Sequence, residues 1–286
     1  MIDVFFQYDF LRYSFYTSLM IGILAPLVGV FIVVRRLALL ADTLSHITLT
    51  GIAFSMLMAR YYPAFAAVNP VYTGMGFAVA GSLMIEQLRK SYAYYKELAI
   101  PVILSAGIGT GVVFISLADG FTTDLFNYLF GSVAAVSRDD FTVVAVLTAA
   151  VALLLLLFYK ELFFLSFDEE QAVLSGIPAR PLHFMFIVIT AVVIGISMQI
   201  VGILLVSALM TLPVAAAMRI AASFKQLFFY AVLFGELSVV AGMTAAFYAD
   251  AAPGGMIVVI NLLILAAVLV ADRFLTRKEK PVWISS

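Results

Sequence analysis

Apolar runs of about twenty residues recur along the whole chain, separated by loops too short to hold a soluble domain of their own. A bilayer core about 30 Å thick is crossed by about 20 mostly apolar residues in a helix. The runs predict spans over 12–34, 40–60, 71–88, 98–117, 141–159, 182–199, 202–218, 226–248 and 256–272. Composition agrees, since 64% of the 286 residues are hydrophobic and only 12% are charged, against roughly 25% charged in a soluble domain. The expected fold is all-α: a polytopic transmembrane helical bundle of about nine spans (eight to ten), with residues 1–286 forming a single transmembrane domain. So little charge argues against a soluble enzyme or a disordered tail, and a net charge of −1 gives no handle for nucleic acid. With no cysteine, disulfides, thiolate metal sites and cysteine nucleophiles are excluded.

Two places strain the span count. Segment 124–136 is apolar but short, and reads as a re-entrant or interfacial piece; counting it as a full span would reverse everything after it. The turn between 199 and 202 is very tight. Residues 1–10 contain Asp3 and Asp9 and no cation before Arg12, so no cleaved signal peptide is expected.

Lys and Arg test the topology, because cytoplasmic loops collect them. With the N-terminus outside, thirteen fall on the inner side: Arg35, Arg36, Arg89, Lys90, Lys96, Lys160, Arg180, Arg219, Lys225, Arg273, Arg277, Lys278 and Lys280. Three, Arg12, Arg60 and Arg138, fall outside. The C-terminal tail is accordingly expected in the cytoplasm of a cell-membrane protein. Tyr61, Tyr62, Tyr92, Tyr94 and Tyr95 flank span ends and read as interface anchors.

An ionisable residue at bilayer depth costs roughly 2.5–3.5 kcal/mol and calls for a reason. The sharpest case is Arg35-Arg36-Leu37-Ala38-Leu39-Leu40-Ala41-Asp42-Thr43-Leu44-Ser45-His46. With Arg36 at the inner interface, Asp42 lies about 9 Å deeper and His46 about 15 Å deeper along a continuous helix. Spaced i, i+4, they share a face, and a carboxylate with an imidazole could grip a divalent cation. Two ligands are half a tetrahedron, and a twofold homodimer would complete it. Thr43, Ser45, Thr48 and Thr50 add hydroxyls nearby, and Gly51 admits a close helix neighbour. A neutralised Asp–His pair holding helices together, or a proton relay, accounts for the spacing equally well.

Glu236 is the second deep acid, about 16 Å in by the same rise. It reads as a further metal ligand, a charge drawing cations inward, or a structural partner; Gly235 and Ser238 beside it favour the structural reading. Gln199 reads as a helix–helix hydrogen bond and His183 as a solvated interfacial residue without a role. Asp119, Asp124, Asp139, Asp140 and Asp250 read as ordinary loop acids, with cation attraction or partner docking as the alternative.

Between the fifth and sixth spans, Ser166 and Glu169 have capping-box spacing. Asp168 and Glu170 suit the positive end of a helix dipole, while Gly176 and Pro178 stop the helix. A short capped helix over 166–177 at the cytoplasmic face follows, acting as a connector or, through Phe167, Asp168, Glu169 and Glu170, as a docking element.

The 35–46 run continued through Thr50-Gly51-Ile52-Ala53, the stretch 199–216 around Ser207 and Pro213, and the segment from Ser166 to Gly176 occur in order. Together they resemble the membrane permeases of bacterial zinc and manganese ABC importers over essentially the whole chain. The resemblance implies a type II ABC importer-like, homodimeric permease. It would take metal from an extracytoplasmic metal-binding protein and work with two copies of a cytosolic ATP-binding subunit. It implies that Asp42 and His46 handle the metal and that the 168–176 helix couples to the ATPase. The implied protein is a transport subunit and not an enzyme, without a permanent cofactor, carrying Zn2+ or Mn2+ as substrate. Ala41-Asp42-Thr43-Leu44-Ser45-His46 looks closest to zinc-type members; manganese or iron is the neighbouring choice. No Gly-rich, Lys-ending ATP loop is present, so the motor is expected on another chain. A proton-coupled carrier using Asp42, His46 and Glu236, and an intramembrane enzyme, are the alternatives from other classes.

Overall fold

A computed structural model describes residues 8–92, 94–118, 120, 122–132 and 136–275. Among these residues there is no strand. In chain order the helices are α1 (Asp9–Val34), α2 (Ala38–Tyr61), α3 (Pro63–Ala66), α4 (Pro70–Ser91), α5 (Ala99–Leu117), α6 (Thr123–Phe130), α7 (Arg138–Leu157), α8 (Tyr159–Phe167), α9 (Glu169–Leu174), α10 (Ala179–Val201), α11 (Ile203–Ile220), α12 (Phe224–Ala249) and α13 (Pro253–Leu275). A 3-10 turn, Lys96–Leu98, precedes α5.

Each predicted span coincides with one long helix. Seven of them are long and apolar enough to cross a bilayer. The other two are α4, which ends in Glu86, Gln87, Arg89 and Lys90, and α11, whose apolar stretch Leu205–Ile220 is short. Of the 124–136 segment, 133–135 lie outside the described residues; its first part lies in the short helix α6, which burial of Leu125 and Leu129 seats against the bundle. The tight turn collapses to one residue: α10 ends at Val201, Gly202 takes φ +86°, and α11 starts at Ile203. Only glycine suits that backbone, and a Cβ there would also lie 2.5 Å from the Leu129 carbonyl oxygen.

Contacts between helix termini sort the bundle into two ends. Arg35 after α1, Glu86 near the end of α4 and His183 near the start of α10 are hydrogen-bonded together. Val30 of α1 packs with Val214, Ala217 and Ala221 at the end of α11 and with Leu227 at the start of α12. At the opposite end Asn69 donates to Asp140, joining the starts of α4 and α7, and Gly254 of α13 abuts the Val201 carbonyl of α10. The cations that sequence assigns to the inner side, as far as they are described, follow the first end. Arg277, Lys278, Lys280, Asp119 and the side chain of Gln199 lie outside the described residues.

Helix ends follow local chemistry. Asn69, Thr122, Ser137 and Ser223 accept backbone N–H groups at the starts of α4, α6, α7 and α12. Ser137 with Asp140 closes a full capping box, so Asp140 has a structural use. The interior is sealed at the first end by aromatic packing. Phe31 meets Phe186 and Phe228 at centroid distances of 5.9 and 5.3 Å, and Phe228 meets Phe224 at 5.0 Å. On the outside, leucines of α7 such as Leu153, Leu156 and Leu157 are exposed, as lipid-facing positions require.

The segment between α7 and α10 departs from expectation at its start. Ser166 is not a cap: it lies inside α8 and donates to the Leu162 carbonyl at 2.6 Å. Phe167 continues that helix, and Asp168 caps α9 by accepting from the Gln171 N–H at 2.8 Å. A serine in the last turn of an existing helix satisfies its hydroxyl on the i−4 carbonyl, and the extended backbone at Asp168 is the first place where a cap can form. Glu169 and Glu170 occupy the first turn, and Gly176 takes φ +84°. Asp168→Ala should therefore destabilise α9 by about 1 kcal/mol, raising amide exchange across its six residues several-fold, whereas Ser166→Ala should leave that exchange unchanged.

Candidate functional site

Helix α2 is positioned first by the turn before it. Arg36 N–H donates to the Val33 carbonyl and Leu37 N–H to Ile32, at 3.0 and 2.8 Å. This is a Schellman stop, and its left-handed position is held by Arg36 at φ +57° where glycine is usual. Leu40 N–H then donates to the Leu37 carbonyl at 2.8 Å, and α2 is under way.

Glycines fix its flanks. A Cβ on Gly51 would lie 2.7 Å from Phe77 Cβ and 2.8 Å from Gly74 Cα, so α2 and α4 touch backbone to backbone. Ile47 fills the spaces left by Gly81 of α4 and Gly107 of α5. Thr50 Oγ1 donates to the Gly107 carbonyl at 2.7 Å, fastening α2 to α5.

Asp42 and His46, one turn apart, are half-buried on the remaining side. Ser207 of α11 donates to Asp42 Oδ1 over a long 3.4 Å. Among the described residues the His46 side chain makes no hydrogen bond or ion pair. The neighbouring hydroxyls are committed to their own helix: Thr43 donates to Leu39, Ser45 to Ala41 and Thr48 to Leu44, at 2.7–2.8 Å. The pair thus has free coordinating atoms, and the hydroxyl protons around it are already spent.

Glu236 is placed elsewhere. It projects from α12 toward α1, where its Oε1 lies 2.6 Å from the position of a Cβ on Gly22, and that oxygen is buried without a hydrogen bond. Gly235 packs against Pro26 of the same helix α1. Among the described residues no three His, Asp or Glu side chains gather closely enough to hold a metal ion. One chain therefore brings Asp42 and His46 together on one face of α2, with Glu236 apart from them.

His183 does have partners, contrary to the solvated role expected of it. Its Nδ1 lies 2.9 Å from Arg35 Nη2 and its Nε2 lies 3.2 Å from Glu86 Oε2. The Arg35 guanidinium also lies over the Phe186 ring, 5.5 Å from its centre. Burial pulls the Arg35 pKa below its ordinary value, with Glu169 as the largest opposing influence. A groove of about 910 Å³ opens beside this cluster, between Leu83 and Lys90 on one side and Phe167 and Glu169 on the other. Glu86 is the residue that sequence reading missed. Its signal was an acid one turn before Arg89 and Lys90; the Arg35–His183 pairing bridges 148 positions and has no local signal.

A family model described as the ABC 3 transport family matches residues 7–272. The chain belongs to that family. A probable metal transport system membrane protein of Treponema pallidum is 32% identical to it, over 92% of this chain and 96% of the relative. The manganese transport system membrane protein MntC of Listeria innocua is 31% identical over 96% of both chains. The high-affinity zinc uptake system membrane protein ZnuB of Haemophilus influenzae is 26% identical, over 88% of this chain and 94% of the relative. Among solved structures, that of PsaBC from Streptococcus pneumoniae in complex with Fab aligns with TM-score 0.84 and 28% identity, covering 97% of this chain and 98% of the other. The all-helical, multi-pass architecture expected from the sequence is thus also that of a solved relative.

The placement of α2 in this ABC 3 protein depends on the absence of side chains at its contact with α4. Gly51→Ala should lower stability by about 1–3 kcal/mol through overpacking, read as a reduced melting temperature of the purified protein. Gly76→Ala, on α4 where nothing lies within 4 Å, should be neutral by the same measurement.

Proposed function

We propose that this chain is the permease subunit of an ATP-driven importer of a divalent transition metal ion, and that Asp42 and His46 bind the ion on its way through the bundle. The observation that carries the reading is the pair itself: a carboxylate with one long hydrogen bond and an imidazole with none, one turn apart on one helix. Polar groups left so open inside a membrane protein mark pathways, and relatives across nearly the full length carry metal-transport names.

Two such half-sites facing each other across a homodimer would supply two carboxylates and two imidazoles, a full tetrahedral donor set. The ion arrives from an extracytoplasmic metal-binding protein, and a separate cytosolic subunit hydrolyses ATP. The N-terminus is outside and the C-terminal tail cytoplasmic, which puts the Arg-rich end with α8 and α9 in the cytoplasm. There α9 docks on the ATP-binding subunit. One carboxylate and one imidazole per chain suit zinc and manganese alike. Manganese names outnumber zinc names among the relatives, so they do not strengthen the lean to zinc that the 41–46 motif suggests.

The test is metal uptake by the reconstituted complex, with zinc and manganese in competition. Asp42→Ala and His46→Ala should each abolish uptake while the complex still assembles; wild-type uptake by both would remove the site. Uptake driven by a pH gradient without the ATPase would replace the reading with a proton-coupled carrier. Glu170→Lys, which spares the Asp168 cap, should weaken co-purification with the ATP-binding subunit; unchanged co-purification would count against docking through α9.

A further inference from the structure

We propose that Arg35, His183 and Glu86 form a clasp that transmits movement of the α8–α9 segment to helix α2, making all three positioning residues for transport. This rests on the importer reading above, since transport is what the positioning would serve.

The clasp has a defined polarity. Arg35 can only donate, so His183 accepts at Nδ1 over 2.9 Å, and its Nε2–H is then the donor to Glu86 over 3.2 Å. A cation, a neutral imidazole and a carboxylate are thereby linked in one line. Three separate elements meet in it: the turn between α1 and α2, the first turns of α10, and the last turns of α4. Two of these hold α2 directly. The Arg35–Leu37 turn leads straight into it, with Asp42 in its second turn, and α4 lies against it through Gly74 and Gly81.

The third element, α10, carries the α8–α9 segment. Leu165 of α8, Ala172 of α9 and Ala179 of α10 form one buried cluster. Glu169, the first residue of α9, faces the same groove as Arg35 and favours its charged form. A displacement of α9 thus reaches His183 through α10 and Arg35 through Glu169. The groove of about 910 Å³ between the α8–α9 segment and the end of α4 leaves room for such a displacement.

Stability alone does not account for this chemistry. Apolar side chains of similar volume hold helix ends as well as a half-buried ionic chain does, and often better, and the adjacent Phe31–Phe186–Phe228 packing already seals this end. Directional bonds add discrete making and breaking, which a packed apolar contact does not.

Two measurements test the clasp. In the complete reconstituted complex, His183→Ala and Glu86→Ala should leave assembly and ATP hydrolysis in place while metal uptake per ATP falls about tenfold, the scale of one lost hydrogen bond to a charged group. Arg35→Ala combined with His183→Ala should fall no further than either alone, and Arg35→Lys should retain most of the coupling. Glu86→Gln, which keeps an acceptor oxygen, serves if Glu86→Ala does not fold, and should show a partial loss. Unchanged uptake per ATP, or uptake and hydrolysis falling in proportion, would overturn the proposal. Independently of transport, amide exchange over residues 36–42 of the assembled complex should rise about tenfold in His183→Ala, with α7 unaffected. Wild-type exchange there would overturn the clasp by itself. A wild-type complex that takes up neither metal overturns the importer reading instead, and the exchange measurement still decides whether the clasp holds α2.

Discussion

Lipid tails are as apolar as leucine, so helices inside a bilayer gain little by burying apolar side chains against one another, and close approach of backbones has to supply the contact. In this protein that constraint falls on α2. Gly51 and Gly74 bring α2 and α4 together without side chains between them, and Ile47 occupies the hollows made by Gly81 and Gly107. Two flanks of the helix are thereby used up. What remains is the side bearing Asp42 and His46, with Ser207 of α11 as the polar neighbour. This open face is therefore a consequence of where side chains were removed as much as of where Asp42 and His46 were placed.

The same scarcity of water explains the hydroxyls. Thr43, Ser45 and Thr48 donate to carbonyls of their own helix, and Thr50 donates across to the Gly107 carbonyl of α5. In a soluble protein such residues would hydrate; here the preceding turn is the nearest acceptor. Adjacency to Asp42 and His46 in sequence therefore does not make them ligands, and the coordinating capacity of this face rests on the carboxylate and the imidazole.

Much of the fold was legible because the signals are local. Span length, the gathering of Lys and Arg at one end of the bundle, the stop at Gly176 and the tight turn at 199–202 each depend on a few consecutive residues and a simple physical rule. The i, i+4 spacing of Asp42 and His46 belongs with them, since a helix alone dictates that they share a face. The failures are of another kind. Ser166 and Glu169 had the spacing of a capping box, but spacing does not reveal that α8 already runs through Phe167, leaving Asp168 as the first residue able to cap. His183 looked solvated because nothing beside it in sequence could bind it; Arg35 and Glu86 reach it only after α1, α4 and α10 converge. Glu236, for which Gly235 and Ser238 favoured a structural role, faces Gly22 of α1; depth alone gives no direction.

Direction also bears on why so incomplete a site would serve transport. A closed four-ligand shell within one chain is the arrangement of a structural metal, held for the life of the fold. A permeation site has to release what it binds. Two ligands on one rigid helix, completed under the proposed reading by the same two from a second copy, make a shell that exists only while the two helices stand at the right separation. The strength of binding then depends on the position of α2, and that position is set at its first turn by Arg36 in a left-handed backbone and by Arg35 bonded to another helix. A glycine at position 36 would fit that backbone with less strain. An arginine pair there places a cation where it can reach α10, so the turn that aims Asp42 and His46 is also the one bonded to the start of α10.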